Sequence, residues 1–328
     1  MLKLPIIFLI IFLLTGCSSH RQEEVSFSNK NVSLNGTLFI PRGQGRHPAV
    51  VFVGGSGRAP RENVRWYAEL FAYNGVAALI YDKRDIGSIR ATELVSGDEL
   101  AGDVLAAVEL LKGRSDINAQ HIGLWGGSQG SGIAARAAAQ SKDISFLISV
   151  SGGGVTYEEL ATYQNANRLR AQGYSEQEIR DADAALRQLY NYVRTRRNAE
   201  AAQAALDRAW QNRWASVVLP TRRLPTEEEL ATWIQWREFD RTPMADWEQV
   251  TIPVLAFWGE RDEVVPVQQS IDGIQQALNR AGNRNITIMI IEGADHNLMR
   301  QPNPENVPAP EYLEKMIDWT LKQTRIKN

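Results

Sequence analysis

From Val32 the stretch "VSLNGTLFIP" alternates apolar and polar positions, the period of a half-buried strand, and Asn35-Gly36 supplies a turn signal beside it. The next run, "HPAVVFVGG" from His47, is continuously apolar, as strands covered on both faces are. Runs of this second kind recur at "VAALIYD" from Val76, "HIGLWGG" from His121, "FLISVSGG" from Phe146, "IPVLAFWG" from Ile252 and "ITIMIIEG" from Ile286. Helical periodicity fills most of the intervals. In "NVRWYAELFAYNG" the apolar residues Val64, Tyr67, Leu70 and Phe71 share one face, and "DELAGDVLAAVELLKG" closes on Gly113. Buried strands alternating with helices predict an α/β protein: a mostly parallel central sheet flanked by helices, made mixed by the opening hairpin-like strands.

The rhythm breaks between about residues 155 and 250, where no buried strand pattern occurs. Helical stretches such as "SEQEIRDADAALRQLYNYVRTRR" and "TEEELATWIQWREFD" take its place, the second opening with the capping-box spacing Thr226 to Glu229. The expected organisation is a core in two parts, residues 25–154 and 251–328, with a helical cap inserted as residues 155–250. That insertion holds thirteen arginines, no lysine and five of the nine tryptophans. Against fifteen acidic residues in the same segment, the arginines read first as surface ion pairs and only second as a site for an anionic substrate. Trp210 with Trp214, and Trp233 with Trp236, have the spacing of shared helix faces, suited to an aromatic or acyl substrate or, more simply, to packing.

Ahead of the core, "MLKLPIIFLIIFLLTGC" joins one lysine to an apolar run from Leu4 to Leu14 and a small-residue site. That is the layout of an export signal, and the run is short for a membrane span. Leu14, Thr15, Gly16 and Cys17 resemble the lipobox of bacterial lipoproteins. The resemblance implies removal of residues 1–16, lipid on the Cys17 sulfur and a membrane-anchored, exported protein, with Ser18 favouring an outer membrane in a Gram-negative cell. Residues 17–24 then read as a tether. Cys17 is the chain's only cysteine, so no disulfide supports the core. A net charge of −2 with both signs scattered gives no footprint for nucleic acid.

Two Gly-Gly-Ser turns follow apolar runs, at Ser56 and at Ser128. Only the second, Gly126-Gly127-Ser128-Gln129-Gly130, is G-x-S-x-G between a strand and a helix, the setting in which a serine hydroxyl is lifted above the strand ends as a nucleophile. A serine needs a base, and His296 in "IIEGADHNL" follows the last apolar run, whereas His20, His47 and His121 read as solvated or strand-flanking. A carboxylate should orient the imidazole. Asp262 in "FWGERDEVVP" has the order along the chain Ser, Asp, His, with Glu260 and Glu263 as neighbouring alternatives and Asp295 too close to His296 in the chain. The glycine-rich turn at Gly54, Gly55 and Ser56 can bring a backbone N–H close to the reacting oxygen, so Ser56 acts through its amide, with Gly55 as the alternative donor beside Gln129.

These stretches together are similar to the α/β-hydrolase superfamily, in its serine esterase and aminopeptidase type with a helical cap. The likeness rests on the elbow from Gly126 to Gly130, "GERDEVVP" from Gly259, "GADHN" from Gly293 and "YDKRDIGS" from Tyr81, and extends from about Val32 to the C-terminus. It implies the α/β-hydrolase fold, a Ser128, His296, Asp262 triad, a small acyl or ester substrate, and no metal or organic cofactor. The chain departs from many relatives at Gly54, where a histidine is common, and at Asp85, where a glycine follows the arginine. Ester, thioester and peptide bonds all remain open as targets. Two other classes compete: a dinucleotide fingerprint spelled by Gly130, Gly132 and Ala135, and a non-catalytic lipoprotein using the fold to bind a ligand.

Overall fold

The computed structural model describes residues 20–84, 95–232, 243–303 and 306–324. Cys17, Asp85, Trp233 and Trp236 lie outside them. Eight strands form one sheet: β1 (His20–Asn29), β2 (Val32–Pro41), β3 (His47–Val53), β4 (Ala77–Tyr81), β5 (Ile117–Gly127), β6 (Phe146–Val150), β7 (Val254–Gly259) and β8 (Ile286–Ile291), in the order β1-β2-β4-β3-β5-β6-β7-β8. β1 and β2 are antiparallel and β2 runs antiparallel to β4; every pairing from β4 to β8 is parallel. The apolar runs of β3 to β7 thus sit where both faces are covered, whereas the run from Ile286 forms the edge strand β8 and is only partly covered, with Ile290 47% exposed.

Alternate residues of each strand enter opposite cores. Val51, Leu79 and Leu124 face a core completed by α2 (Gly97–Lys112), α3 (Gln129–Gln140) and α10 (Val267–Arg280), while Val50, Phe52 and Ile80 face one closed by α1 (Arg65–Tyr73) and α11 (Pro310–Thr324). α1 buries Ala68, Phe71 and Ala72, the stripe that the 3.6-residue period predicts.

The segment between β6 and β7 holds α4 (Tyr157–Ala171), α5 (Glu176–Thr195), α6 (Ala199–Ala209), the short α7 (Ala215–Val218) and α8 (Glu227–Thr232), then α9 (Met244–Trp247) against the main core. α4 to α8 share a separate apolar core of Leu169, Leu186, Leu189, Leu206, Trp214 and Leu230. The capping box read at Thr226 is present: Glu229 accepts from the Thr226 N–H at 2.8 Å, and the Thr226 hydroxyl from the Glu229 N–H at 3.2 Å.

Three expectations change. The turn signal Asn35-Gly36 lies inside β2, opposite Ser26 and Val25, and the hairpin turns instead at Lys30-Asn31 with Lys30 at φ 54°. Gly36 is needed for close approach, since a Cβ there would stand 2.7 Å from the Ile80 carbonyl oxygen. Residues 20–24, read as part of a tether, are the first half of β1, paired from His20 with Pro41. Trp210 and Trp214 do not share a helix face, because α6 ends at Ala209 and the chain turns before α7. Both pack within the insertion's own core, the Trp210 indole N–H donating to the Thr221 carbonyl at 2.9 Å.

Candidate active site

In this sheet β3 sits between β4 and β5, so the connection leaving β3 runs to one side and the next crosses to the other. Loops diverge at such a switch point and leave a crevice at the carboxyl ends of the strands. Ser56 follows β3, Lys83 follows β4, Ser128 follows β5, Asp262 follows β7 and His296 follows β8, all at that end.

Ser128 caps α3 with φ 53° and ψ −120°, a conformation sparsely populated by residues with a side chain. Two glycines make the bend possible. A Cβ on Gly126 would lie 2.4 Å from the Gly130 carbonyl oxygen, and one on Gly130 would lie 2.2 Å from the Val53 carbonyl oxygen. The Ser128 amide is committed to the Val150 carbonyl at 2.8 Å, which ties the elbow to β6. The next amide, of Gln129, belongs to the first turn of α3, where no intrahelical acceptor exists.

His296 reaches this hydroxyl. Its Nε2 is 3.0 Å from Ser128 Oγ and its Nδ1 is 2.7 Å from Asp262 Oδ2. Asp262 is fully covered at the side chain, and His296 retains 17% of its exposure. The other carboxylate oxygen of Asp262 accepts the Val264 and Val265 amides, each at 2.8 Å, so the group has one oxygen left for the ring. The loops carrying the two residues are laced together: the Glu260 amide donates to Ile291 at 3.0 Å and the Arg261 amide to Ala294 at 2.8 Å. From β6, the buried Ser151 hydroxyl donates to the His296 carbonyl at 2.8 Å.

Two of the alternatives for the acid are engaged elsewhere. Glu260 accepts the Gly293 amide at 2.8 Å, Asp295 accepts the Asn297 and Met299 amides at 2.8 and 3.0 Å, and Glu263 is exposed, while the ring nitrogen is taken by Asp262. Among the other histidines, His20 packs in β1 against Phe39 with ring centroids 5.6 Å apart, His47 opens β3, and His121 lies within β5.

The loop after β3 abuts the elbow. A Cβ on Gly55 would be 3.4 Å from the Gly127 carbonyl oxygen and 3.6 Å from Ser128 Cβ, whereas the Ser56 side chain is exposed. Lys83, in the stretch "YDKRDIGS", was not singled out by sequence. Its Nζ donates to the Gly55 carbonyl at 2.8 Å and to Gln129 Oε1 at 2.7 Å, and burial pushes the amine down to about 8. Tyr163 and Asn167 of α4 were also missed. The Tyr163 hydroxyl donates to the Asp262 carbonyl at 2.6 Å, so the helical insertion is bonded to the turn that carries the acid.

The insertion's arginines pair with its acids: Arg170 with Glu176 at 2.7 Å, Arg187 with Asp183 at 2.8 Å, Arg194 with Glu158 at 2.7 Å and Arg213 with Glu178 at 2.9 Å. The first of the two sequence readings, surface ion pairing, describes these four. Gly130, Gly132 and Ala135, which spell the dinucleotide pattern, all lie within α3 rather than in a loop preceding it.

Known proteins agree with the architecture. Thiohydrolase aneE of Aspergillus aculeatus is 31% identical over 131 residues, 39% of this chain and 41% of that protein. Esterase EstD of Thermotoga maritima is 24% identical over 306 residues, 88% of this chain and 64% of that protein. The chain therefore spans less than two thirds of the length of these curated relatives. A Pyrococcus furiosus esterase superposes with a TM-score of 0.60 at 17% identity, covering 94% of this chain and 92% of that one, which shows a common fold. Residues 89–299, well over half the chain, match the family described as the alpha/beta hydrolase fold, and the protein belongs to that family.

Proposed function

We propose that the protein is a serine hydrolase that cleaves carboxylic esters through an acyl-enzyme. The observation that carries this reading is the bonded series Ser128 Oγ to His296 Nε2 at 3.0 Å and His296 Nδ1 to Asp262 Oδ2 at 2.7 Å. Ser128 attacks the ester carbonyl while His296 takes the hydroxyl proton, and Asp262 holds the ring and stabilises the imidazolium that forms. The Gln129 and Ser56 amides receive the oxyanion. His296 returns its proton to the leaving alcohol, and water then repeats the sequence to free the acid.

The second reading is a thioester substrate, favoured by the partial likeness to a thiohydrolase. A peptide bond is the third, from the resemblance to the serine esterase and aminopeptidase type carried jointly by the elbow at Gly126 to Gly130, "GERDEVVP" and "GADHN". Residues 155–250 serve as a cap in this proposal, a role supported by the bonds from Tyr163 and Asn167 to the acid turn. Export and lipid attachment at Cys17 complete it and rest on residues 4–17 of the sequence; a Cys17→Ala chain that still takes up a clickable fatty acid in cells would remove that part.

The test compares nitrophenyl esters of short and long acids, acyl thioesters and amino-acid amides, together with a fluorophosphonate probe. Ester turnover is expected to lead, the probe to label Ser128, and Ser128→Ala to lose both. Turnover surviving in Ser128→Ala overturns the reading.

A further inference from the structure

The loop after β3 carries a donor the proposed reaction depends on, yet its own sequence restrains it little. Gly54, Gly55 and Gly57 give it little conformational restraint, and Gly57 sits at φ 72°. What holds it comes from the end of β4. The Lys83 amide donates to the Ala59 carbonyl at 3.4 Å, Asp82 Oδ1 accepts the Arg61 amide at 3.0 Å, and the Lys83 ammonium donates to the Gly55 carbonyl at 2.8 Å.

The last of these bonds has a directional consequence. In a trans peptide the carbonyl and the N–H point opposite ways, so a side chain that fixes the Gly55 carbonyl also fixes where the Ser56 N–H points. Gly55 lies against the elbow, a Cβ there standing 3.6 Å from Ser128 Cβ. The same ammonium reaches Gln129 Oε1 at 2.7 Å, on the residue whose amide begins α3. A single group therefore spans the two segments that bear the two donors. Lysine suits this place because its three N–H bonds on a compact head serve both acceptors at once, at 2.8 and 2.7 Å.

We propose that Lys83 is a positioning residue for the oxyanion site: by holding the Gly55 carbonyl it aims the Ser56 N–H, on the opposite side of that peptide, at the reacting oxygen, and through Gln129 it holds that loop in register with α3. Ser56 rather than Gly55 is then the loop's donor, and the serine side chain is dispensable. The inference rests on the serine-hydrolase reading above and deepens it.

Lys83→Met keeps length and removes the donors. A lost oxyanion donor costs about 10² to 10³ in kcat, and a misaimed one less, so kcat is expected to fall on the order of ten- to a hundredfold with KM within about threefold. Binding of a trifluoromethyl ketone, which becomes an anionic adduct on the serine, is expected to weaken by the same factor. A structural role alone would lower the melting temperature and leave that proportionality absent.

A measurement on the unaltered protein stands independently of whether the variant folds. On ketone binding, the Ser56 amide proton should move downfield in the nitrogen-proton NMR spectrum; movement of Gly55 in its place overturns the inference. So does a folded Lys83→Met with kcat within twofold of the parent while fluorophosphonate labels Ser128. Label on a different serine overturns the triad reading, and this inference with it.

Discussion

Asp262→Asn tests the proposed triad at its least forgiving point, because every bond to that carboxylate has a counterpart the amide must satisfy. Oδ1 takes two backbone N–H donors, Val264 and Val265, each at 2.8 Å. The amide has one acceptor oxygen, and two donors claim it, so its NH2 is left facing His296 Nδ1, now 2.7 Å from Oδ2. A donor there forces Nδ1 to accept and moves the ring proton to Nε2, which points at Ser128 Oγ from 3.0 Å and can no longer take the hydroxyl proton. The backbone and packing are unchanged, so the loss falls on the reaction. The wrong tautomer costs about 10⁴ in kcat in the serine protease triad, or roughly 5 kcal/mol of barrier. Ester turnover and fluorophosphonate labelling rate at neutral pH read it, with thermal unfolding as the control for folding. Glu260→Gln, whose carboxylate holds the Gly293 amide, should lose less than about tenfold. A folded Asp262→Asn within about tenfold of the parent refutes the assignment of the acid.

Gly130→Ala places a Cβ 2.2 Å from the Val53 carbonyl oxygen, so it should destabilise by about 1–3 kcal/mol in chemical unfolding and displace the elbow, lowering turnover as well. Tyr163→Phe removes the 2.6 Å bond to the Asp262 carbonyl, a net contribution of about 1 kcal/mol; a fall in kcat of several-fold without change in the isolated ester's binding would show the insertion acting on the acid turn, and no change would show it does not. Burial lowers the Lys83 amine from its ordinary 10.5 to about 8. Between those values the unfolded chain holds a proton that the folded one has released, so stability should rise with pH there, and Lys83→Met should lack that increment. Reductive methylation with labelled formaldehyde and NMR titration reads the amine directly, and a midpoint near 10.5 would contradict the burial argument.

Much of the sheet was legible because its strands are buried on two faces. β3, β4, β6, β7 and the second half of β5 announce themselves as continuous apolar runs buried on both faces, and the helices between them keep one apolar stripe; β8, at the far edge of the sheet, is as apolar in sequence but only partly covered, with Ile290 47% exposed. The amino-terminal hairpin was misread for a related reason. β1 has the burial pattern of an edge strand, with little buried beyond Phe27, so "HRQEEVSFSN" looks like solvated chain until β2 is beside it. Asn35-Gly36 has the composition of a turn, but Gly36 answers to the Ile80 carbonyl of a strand more than forty positions away, which no local pattern contains.

The same division runs through the site. Ser128, Asp262 and His296 follow strands, so strand order and chain order placed them at one edge of the sheet before any distance was known, and Gly126 and Gly130 betray the bend because only a missing Cβ fits it. The residues that hold the machinery in place left no such trace. Lys83, Ser151, Tyr163 and Asn167 each act on a backbone carbonyl of a distant segment, at Gly55, His296, Asp262 and Glu263. A carbonyl is present at every position and carries no residue identity, so the acceptor half of each bond is invisible in sequence. The donor half is a common polar side chain with many uses. Chemistry that needs a particular side chain is therefore readable from the chain, while the alignment of that chemistry, which depends on where peptides are turned, emerges only when the strands are set side by side.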